Sequence, residues 1–194
     1  MKKIDILIVG VGGQGVITAS EIVSEVGIRE KYDVKKSEIH GMSQRGGSVS
    51  SDIRFDKDKV YSPTIAKNGA DFVIGFELLE TFRALPYIKE GGVVVTSDYK
   101  LDPMTVSSGK AKYPKNLEER IKKIHNRTFC FNQNDILKKI GNPKAINVFI
   151  LGGMAAHIKE IDKEVWENVI RDKFPEKFVD LNIKAFREGL KLAE

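Results

Sequence analysis

Six residues near the N-terminus have the spacing of a phosphate-binding turn. Residues 10–15 read Gly-Val-Gly-Gly-Gln-Gly, which satisfies the pattern G-x-G-x-x-G. Glycine permits positive φ angles, and its missing Cβ lets the backbone approach a phosphate or a packed strand. A helix that starts directly after such a turn offers free N–H groups and the positive end of its dipole. The spacing therefore permits an anion site, built from Gly10, Gly12, Gly13, Gln14 and Gly15.

A working NAD site needs one more feature, an acidic residue about 20 positions on, at the end of the second strand. Asp33 lies at the start of the predicted second strand, and Glu38 follows two lysines. Three interpretations of the glycines stay open. They serve close helix–strand packing, they bind a phosphate-bearing ligand other than a dinucleotide, or they bind NAD or FAD.

A second polar loop with three glycines spans His40–Gly47. Arg45 could clamp a carboxylate or phosphate with two parallel hydrogen bonds, and further donors could come from nearby side chains and glycine N–H groups. The same residues also suit a turn into the next strand. His40 has no second His or Cys at a metal-ligand spacing, so we predict no metal site. The candidate contact residues of this loop are Ser43, Gln44, Arg45, Gly46 and Gly47.

Two carboxylates, Glu77 and Glu80, stand three residues apart at the start of a predicted helix. Carboxylates in a first helical turn usually complement the helix dipole rather than perform acid–base chemistry. No serine or cysteine stands in a recognisable nucleophile motif either. We therefore assign no catalytic residue to this chain.

Basic residues are concentrated in the segment Lys110–Arg127, which holds seven Lys and Arg against two Glu. Its balance of +5 equals the net charge of the whole chain. Such a segment suits an acidic protein, a phosphorylated cofactor or nucleic acid, and also an ordinary solvated surface. The candidate docking patch consists of Lys110, Lys112, Lys115, Lys122, Lys123 and Arg127.

Alternating apolar runs and helical patterns define the elements that position these residues. A buried strand over Ile4–Val9 leads through the glycine turn into a helix over Val16–Val26. Further strand and helix signals alternate to about residue 131, and the last third is helical. We predict an α/β, Rossmann-like fold, with a mostly parallel sheet, flanking helices and a helical C-terminal third, as one domain over 1–194.

Composition excludes several classes of protein. The chain has 194 residues, 30% of them charged, and no apolar run of about 18 residues that could span a membrane. The N-terminal apolar run is too short for a signal peptide, so we expect a cytoplasmic location. One cysteine, Cys130, cannot hold an iron–sulfur cluster, which needs about four thiolates. We expect Cys130, between two phenylalanines, to be buried.

Together the motifs resemble the gamma domain of the pyruvate/2-oxoacid:ferredoxin oxidoreductases. Gly-Val-Gly-Gly-Gln-Gly-Val is followed about 25 residues later by His-Gly-Met-Ser-Gln-Arg-Gly-Gly-Ser-Val. Pro63, Ala70-Asp71, the Glu77-x-x-Glu80 segment and Leu151-Gly152-Gly153 extend the likeness over nearly the whole chain. Within the family, the chain is most similar to the beta subunit of the indolepyruvate-oxidising branch.

The resemblance implies a thiamine-diphosphate-dependent decarboxylation of a 2-oxoacid. Iron–sulfur clusters pass electrons to ferredoxin, and coenzyme A takes the acyl group. The cofactors carry this chemistry. Because the chain has neither a Gly-Asp-Gly thiamine motif nor a cysteine cluster, thiamine diphosphate, Mg and the [4Fe-4S] clusters are expected on a larger alpha subunit. The expected partners are that subunit, ferredoxin and coenzyme A, with no nucleic acid and no membrane.

The same residues also fit other substrates and other classes of protein. The substrate could be pyruvate or a branched-chain 2-oxoacid instead of an aryl pyruvate such as indolepyruvate. A stand-alone NAD-binding Rossmann protein would be a different class of molecule, as would a nucleic-acid-binding module, which the calculated pI of 9.1 suggests. The 27 acidic residues argue against the last.

Overall fold

A computed structural model describes residues 3–41 and 46–193 of the chain. Within these ranges there are six strands, eight α-helices and two short 3-10 turns. The strands are β1 (Lys3–Val11), β2 (Asp33–His40), β3 (Ser48–Asp56), β4 (Ala70–Gly75), β5 (Ile88–Ser97) and β6 (Thr128–Phe131). The helices are α1 (Val16–Arg29), α2 (Leu78–Ala84), α3 (Met104–Ser107), α4 (Leu117–Ile124), α5 (Gln133–Ile140), α6 (Ile146–Ala155), α7 (Lys163–Lys173) and α8 (Glu176–Ala193).

The six strands form one mixed sheet in the order β2-β3-β1-β4-β5-β6. β1, β4, β5 and β6 are parallel, as predicted from their continuous apolar runs. β3 is antiparallel to both of its neighbours and lies between β1 and β2. The polar–apolar alternation of β3 fits this position, because only its odd-numbered residues are buried.

Both faces of the central strands are covered, and β1 shows how. Ile4, Ile6 and Ile8 pack on one face against a large core that includes α1, α6, α7 and α8. Leu7 and Val9 pack on the other face against a smaller core with α2 and α4. The chain that leaves β1 and the chain that leaves β4 thus run to opposite faces of the sheet.

The helical C-terminal third is confirmed. Asp162 caps α7 through a 3.0 Å bond from the N–H of Glu164, as its side chain and position predict. The helical spacing of α8 predicts that Phe178 faces inward, but its side chain is 38% exposed. None of the described helices is long and apolar enough to cross a membrane.

One local prediction was wrong, and one helix was missed. The two adjacent glycines predict a turn at Gly91-Gly92, but both residues lie inside β5, next to an irregularity in the β4–β5 register. Helix α5 was not predicted, although Asn132 caps it and Gly141 ends it with φ +74°. A pair of adjacent glycines does not by itself distinguish a turn from an irregular strand, and a short helix with few apolar residues has a weak periodic signal.

Candidate functional site

The glycine turn joins the carboxyl end of β1 to the N-terminus of α1. The N–H of Gln14 donates to the carbonyl of Val11 at 3.1 Å, which closes the turn. Gly15 is the N-cap residue of α1, with φ 82° and ψ 29°, a left-handed conformation that favours glycine. The predicted strand, turn and helix are therefore confirmed.

The side chain of Gln14 fills the crevice between β1 and β4. Its Oε1 accepts from the N–H of Val11 at 2.7 Å, and its Nε2 donates to the carbonyl of Phe76 at 3.0 Å. Phe76 directly follows β4, so one carboxamide links the ends of two parallel strands at the point where the chain diverges to opposite faces. A Cβ on Gly10 would lie 2.9 Å from Gln14 Oε1. Gly10 therefore makes room for a side chain of the protein itself.

The two sequence motifs meet at this edge. The N–H of Gly12 donates to the carbonyl of Gly47 at 2.9 Å. Val11 and Ser48 are paired residues at the end of the β1–β3 ladder, so the second motif ends beside the first. Gly47 thus contacts the glycine turn through its carbonyl, and Gly46 precedes it with φ +79°. Ser43, Gln44 and Arg45 lie outside the described residues. His40 is exposed, and its Nε2 lies 3.9 Å from Glu38.

A crevice of about 190 Å³ opens beside the glycine turn, between the N-termini of α1, α5 and α6. None of its lining side chains is charged at neutral pH. Helix α1 has neither a side-chain cap nor an acidic residue in its first turn, so its first backbone N–H groups have no side-chain partner. At the start of α6, the N–H of Ile146 donates to the carbonyl of Pro143, and the N–H of Val148 donates to Oδ1 of Asn147 at 2.9 Å. The crevice is smaller than the roughly 300–1,000 Å³ of whole-cofactor sites, and its size suits a single phosphate or carboxylate group. It is lined by Gly13, Gln14, Phe76, Tyr99, Gln133, Pro143, Ile146 and Asn147.

Asn147 lines the crevice, although nothing in the local sequence predicts this position for it. It is 7% exposed, and its Nδ2 lies 3.4 Å from the carbonyl of Gly15. A Cβ on Gly15 would lie 2.4 Å from the same nitrogen. The glycine turn therefore packs directly on α6, a contact across 132 residues that no local pattern encodes.

Glu77 and Glu80 have structural roles. The side chain of Glu77 caps α2, accepting from the N–H of Glu80 at 2.8 Å and from the phenol of Tyr113 at 2.5 Å. Glu80 accepts from the hydroxyl of Ser48 at 2.7 Å and pairs with Arg83 at 2.6 Å. Both carboxylates are buried. Burial, and then the bond to Glu77, raise the pKa of Tyr113. The sequence predicted that both carboxylates complement the dipole of this helix, and their positions at the N-terminus of α2 agree with that prediction.

Strand order also bears on the NAD interpretation. Because β3 lies between β1 and β2, the end of β2 is two strand spacings from β1, or about 9.6 Å. Glu38, near that end, pairs with Lys36 at 2.8 Å, and this contact is the main cause of its lowered pKa. The acidic residue is thus displaced from the turn that it would have to serve in a dinucleotide site.

The basic residues form a strip rather than a single cluster. All six of the predicted docking residues are exposed. Lys110, Lys112 and Lys115 precede α4, whereas Arg127 lies just before β6, at the opposite edge of the sheet. Lys122 is paired with Glu118 at 2.7 Å, and Arg127 donates to the carbonyl of Gly91 at 2.5 Å.

Within the described ranges, no group of three or more His, Cys, Asp or Glu could hold a metal ion.

Cys130 is half-buried rather than buried. Burial still raises the pKa of its thiol to about 12. Such a thiol is a poor nucleophile and a poor metal ligand, because both roles need the thiolate.

Comparison with known proteins defines the class. Residues 5–192 match the family described as pyruvate ferredoxin/flavodoxin oxidoreductase. The chain is 37% identical to the indolepyruvate oxidoreductase subunit IorB of Thermococcus kodakarensis, over 100% of this chain and 98% of that protein. It is 38% identical to the same subunit of Pyrococcus horikoshii, again over 100% and 98%. The ketoisovalerate oxidoreductase subunit VorA of Methanothermobacter marburgensis is 25% identical over 97% of this chain and 36% of that one.

Two solved structures share the fold. A keto/oxoacid ferredoxin oxidoreductase gamma subunit from Geobacter sulfurreducens has a TM-score of 0.72 and 25% identity, with 98% of each chain covered. A 2-oxoglutarate:ferredoxin oxidoreductase from Magnetococcus marinus, solved with 2-oxoglutarate, coenzyme A and succinyl-CoA, has a TM-score of 0.73 and 19% identity. This chain matches at full length but covers only 31% of that longer one.

The chain belongs to the pyruvate ferredoxin/flavodoxin oxidoreductase family. Its full-length likeness to single subunits makes it a subunit of a 2-oxoacid:ferredoxin oxidoreductase, as its motifs predicted. Proteins of this class combine several subunits, which implies a larger catalytic partner.

Proposed function

We propose that this chain is the small, non-catalytic subunit of an indolepyruvate ferredoxin oxidoreductase. The enzyme oxidatively decarboxylates aryl pyruvates to acyl-coenzyme A and reduces ferredoxin. One observation carries the choice of substrate: the full-length similarity to subunits named for indolepyruvate, at 37% and 38% identity. We propose a cytoplasmic location as well.

The residues of this chain indicate which subunit holds the cofactors. Thiamine diphosphate with Mg would supply the decarboxylation chemistry and [4Fe-4S] clusters the electron transfer, and this chain has neither a Gly-Asp-Gly thiamine motif nor a cysteine cluster to hold them. A cluster needs about four thiolates, and the sequence has one cysteine. These cofactors therefore belong to the larger subunit, and the isolated chain is inactive.

The central experiment is reconstitution. The two full-length subunits are purified separately, mixed, and assayed for indolepyruvate-dependent ferredoxin reduction in the presence of coenzyme A. We expect activity only in the mixture, with a higher kcat/KM for indolepyruvate than for pyruvate or 2-ketoisovalerate. Preference for one of the latter would move the chain to the pyruvate or branched-chain branch. Turnover by the isolated chain, or tight NAD binding in calorimetry, would refute the subunit assignment.

The crevice beside the glycine turn is proposed to contact either the larger subunit or one phosphate of coenzyme A. The uncapped N-terminus of α1 and an uncharged lining support an anion contact. The internal bonds of Gln14 support a packing role. Asn147→Asp distinguishes the two, because it places a negative charge in the crevice. A phosphate contact predicts a raised KM for coenzyme A with assembly unchanged, whereas a subunit contact predicts weaker assembly at an unchanged KM.

The basic strip is proposed to dock an acidic ferredoxin or the coenzyme A phosphates. Charge reversal of Lys122 and Lys123 in the assembled enzyme should raise the KM for one of them, most strongly at low salt. The matched control reverses Lys177 and Lys184, which are exposed on α8. Unchanged kinetics for both molecules would remove this role from α4.

A further inference from the structure

Between β5 and α4 the chain leaves the carboxyl edge of the sheet as a projecting arm, residues 102–112. The arm contains α3, none of whose residues is buried. Bonds within the arm keep it compact, such as the N–H of Ala111 to the carbonyl of Thr105 at 2.9 Å. The arm therefore has a defined shape but no core of its own.

Both ends of the arm are tied to one buried carboxylate. Oε1 of Glu77 accepts from the N–H of Leu101 at 3.2 Å, just before the arm, and from the phenol of Tyr113 at 2.5 Å, just after it. Glu77 is 1% exposed. The carbonyl of Tyr99 accepts from the N–H of Leu78 at 2.9 Å, which fixes the approach to the arm on the same helix. A compact surface loop with close, fixed ends presents its tip with little loss of entropy on binding.

The tip of the arm is uncharged and carries one exposed large apolar side chain. Residues 103–109 carry no charged side chain, although 30% of the chain's residues are charged. Met104 is 75% exposed, and Leu101 at the base is 37% exposed. Lys110 and Lys112 follow the uncharged stretch. Methionine is an unbranched, adaptable side chain that fills apolar pockets on binding partners.

We propose that the arm docks this chain on the larger subunit, with Met104 inserted into an apolar pocket of that subunit. The inference rests on the proposed function and adds to it the surface of attachment. Permanent subunit interfaces are more hydrophobic than transient redox encounters, so an uncharged tip suits the former. The matching region in the Magnetococcus marinus enzyme is 31% of a longer chain. A domain of this fold is there part of one longer polypeptide, so its attachment to the rest of that chain is permanent.

The test measures assembly of the two full-length subunits by calorimetry and the activity of the mixture. Met104→Ser should weaken assembly about tenfold or more, as truncation of a central anchor does. Met104→Leu should retain most of the affinity. The matched control is Tyr61→Ser, which removes an 87% exposed side chain at the opposite edge of the sheet and should leave assembly unchanged. Circular dichroism checks that each variant is folded.

A second variant tests the anchored base. Tyr113→Phe removes one donor to Glu77 and leaves Met104 intact, so assembly should weaken by a smaller factor than with Met104→Ser. Unchanged assembly in Tyr113→Phe would contradict the role of the base. Unchanged assembly in Met104→Ser would overturn the proposal as a whole.

Two further outcomes would give the arm a different binding partner and would also overturn the proposal. If assembly is normal but the KM for ferredoxin rises in Met104→Ser, the arm is a ferredoxin contact. If the isolated chain is a dimer that the variant dissociates, the arm binds a second copy of this chain. If the wild-type chain joins no larger subunit, the proposed function fails, a result separable from failure of the variant alone.

Discussion

The role of Gln14 can be tested with a nearly isosteric change. Gln14→Glu keeps an oxygen that accepts from the N–H of Val11, but it replaces the amide donor that now lies 3.0 Å from the carbonyl of Phe76. In the ionised variant a carboxylate oxygen faces the carbonyl oxygen of Phe76, with no proton between them. The lost bond and the repulsion together should cost about 2 kcal/mol at pH 7.

This cost should depend on pH. Protonation of the variant's carboxyl restores a donor toward Phe76, so the pKa of that carboxyl is raised in the folded state. Its contribution to stability is then fully present below the unfolded pKa, about 4.3, and is lost as pH rises through the folded pKa. The variant should approach the stability of the wild type near pH 4 and fall behind it at pH 7.

Thermal unfolding at a series of pH values measures the effect. For a chain of this size, the expected loss at pH 7 corresponds to a melting temperature roughly 4–8 °C below that of the wild type. Asn134→Asp is the matched control, because it makes the same chemical change at an exposed position of α5, with an expected effect within about 0.5 kcal/mol. A difference between Gln14→Glu and wild type that does not shrink at low pH would refute the assigned bridge.

Three further predictions concern stability and reactivity. Gly15→Ala should cost about 2 kcal/mol in urea unfolding, because φ is 82° and the new Cβ meets Asn147, and a smaller loss is expected in an Asn147→Ala background. Arg54→Ala should cost roughly 2 kcal/mol, because the buried Asp5 carboxylate loses its guanidinium partner at 2.9 Å and keeps Lys3, also at 2.9 Å, whereas Arg54→Lys should cost less. Cys130, whose pKa burial raises to about 12, should be alkylated at pH 8 about a hundredfold more slowly in the folded chain than in urea, and equal rates would contradict its burial.

The sequence predicted the strand, turn and helix at the N-terminus well because each has a local signal. β1 is a continuous apolar run, and α1 begins where a glycine changes the backbone conformation. The position of β3 in the sheet was not predictable in the same way. An alternating strand signals one covered face, but it does not specify which strands lie beside it.

The site was only partly predictable for the same reason. The two glycine-rich motifs could be read as parts of one site, and their contact through Gly12 and Gly47 agrees with that reading. The contacts that define the crevice depend on Phe76 and Asn147, which are 62 and 132 residues from their partners in the turn. Tertiary contacts at such separations have no signature in the local sequence.

The internal contacts of the glycine turn explain why the motif need not mark a nucleotide site in this chain. Gly10 makes room for Gln14, Gly12 bonds to Gly47, and Gly15 packs on Asn147. At Gly10 and Gly15 the close approach that glycine allows is used by a side chain of the protein itself. The backbone N–H groups without a side-chain partner are those of the first turn of α1, beside the crevice. Any anion held there would therefore lie next to the turn rather than in the gap between β1 and β4, which the carboxamide of Gln14 occupies.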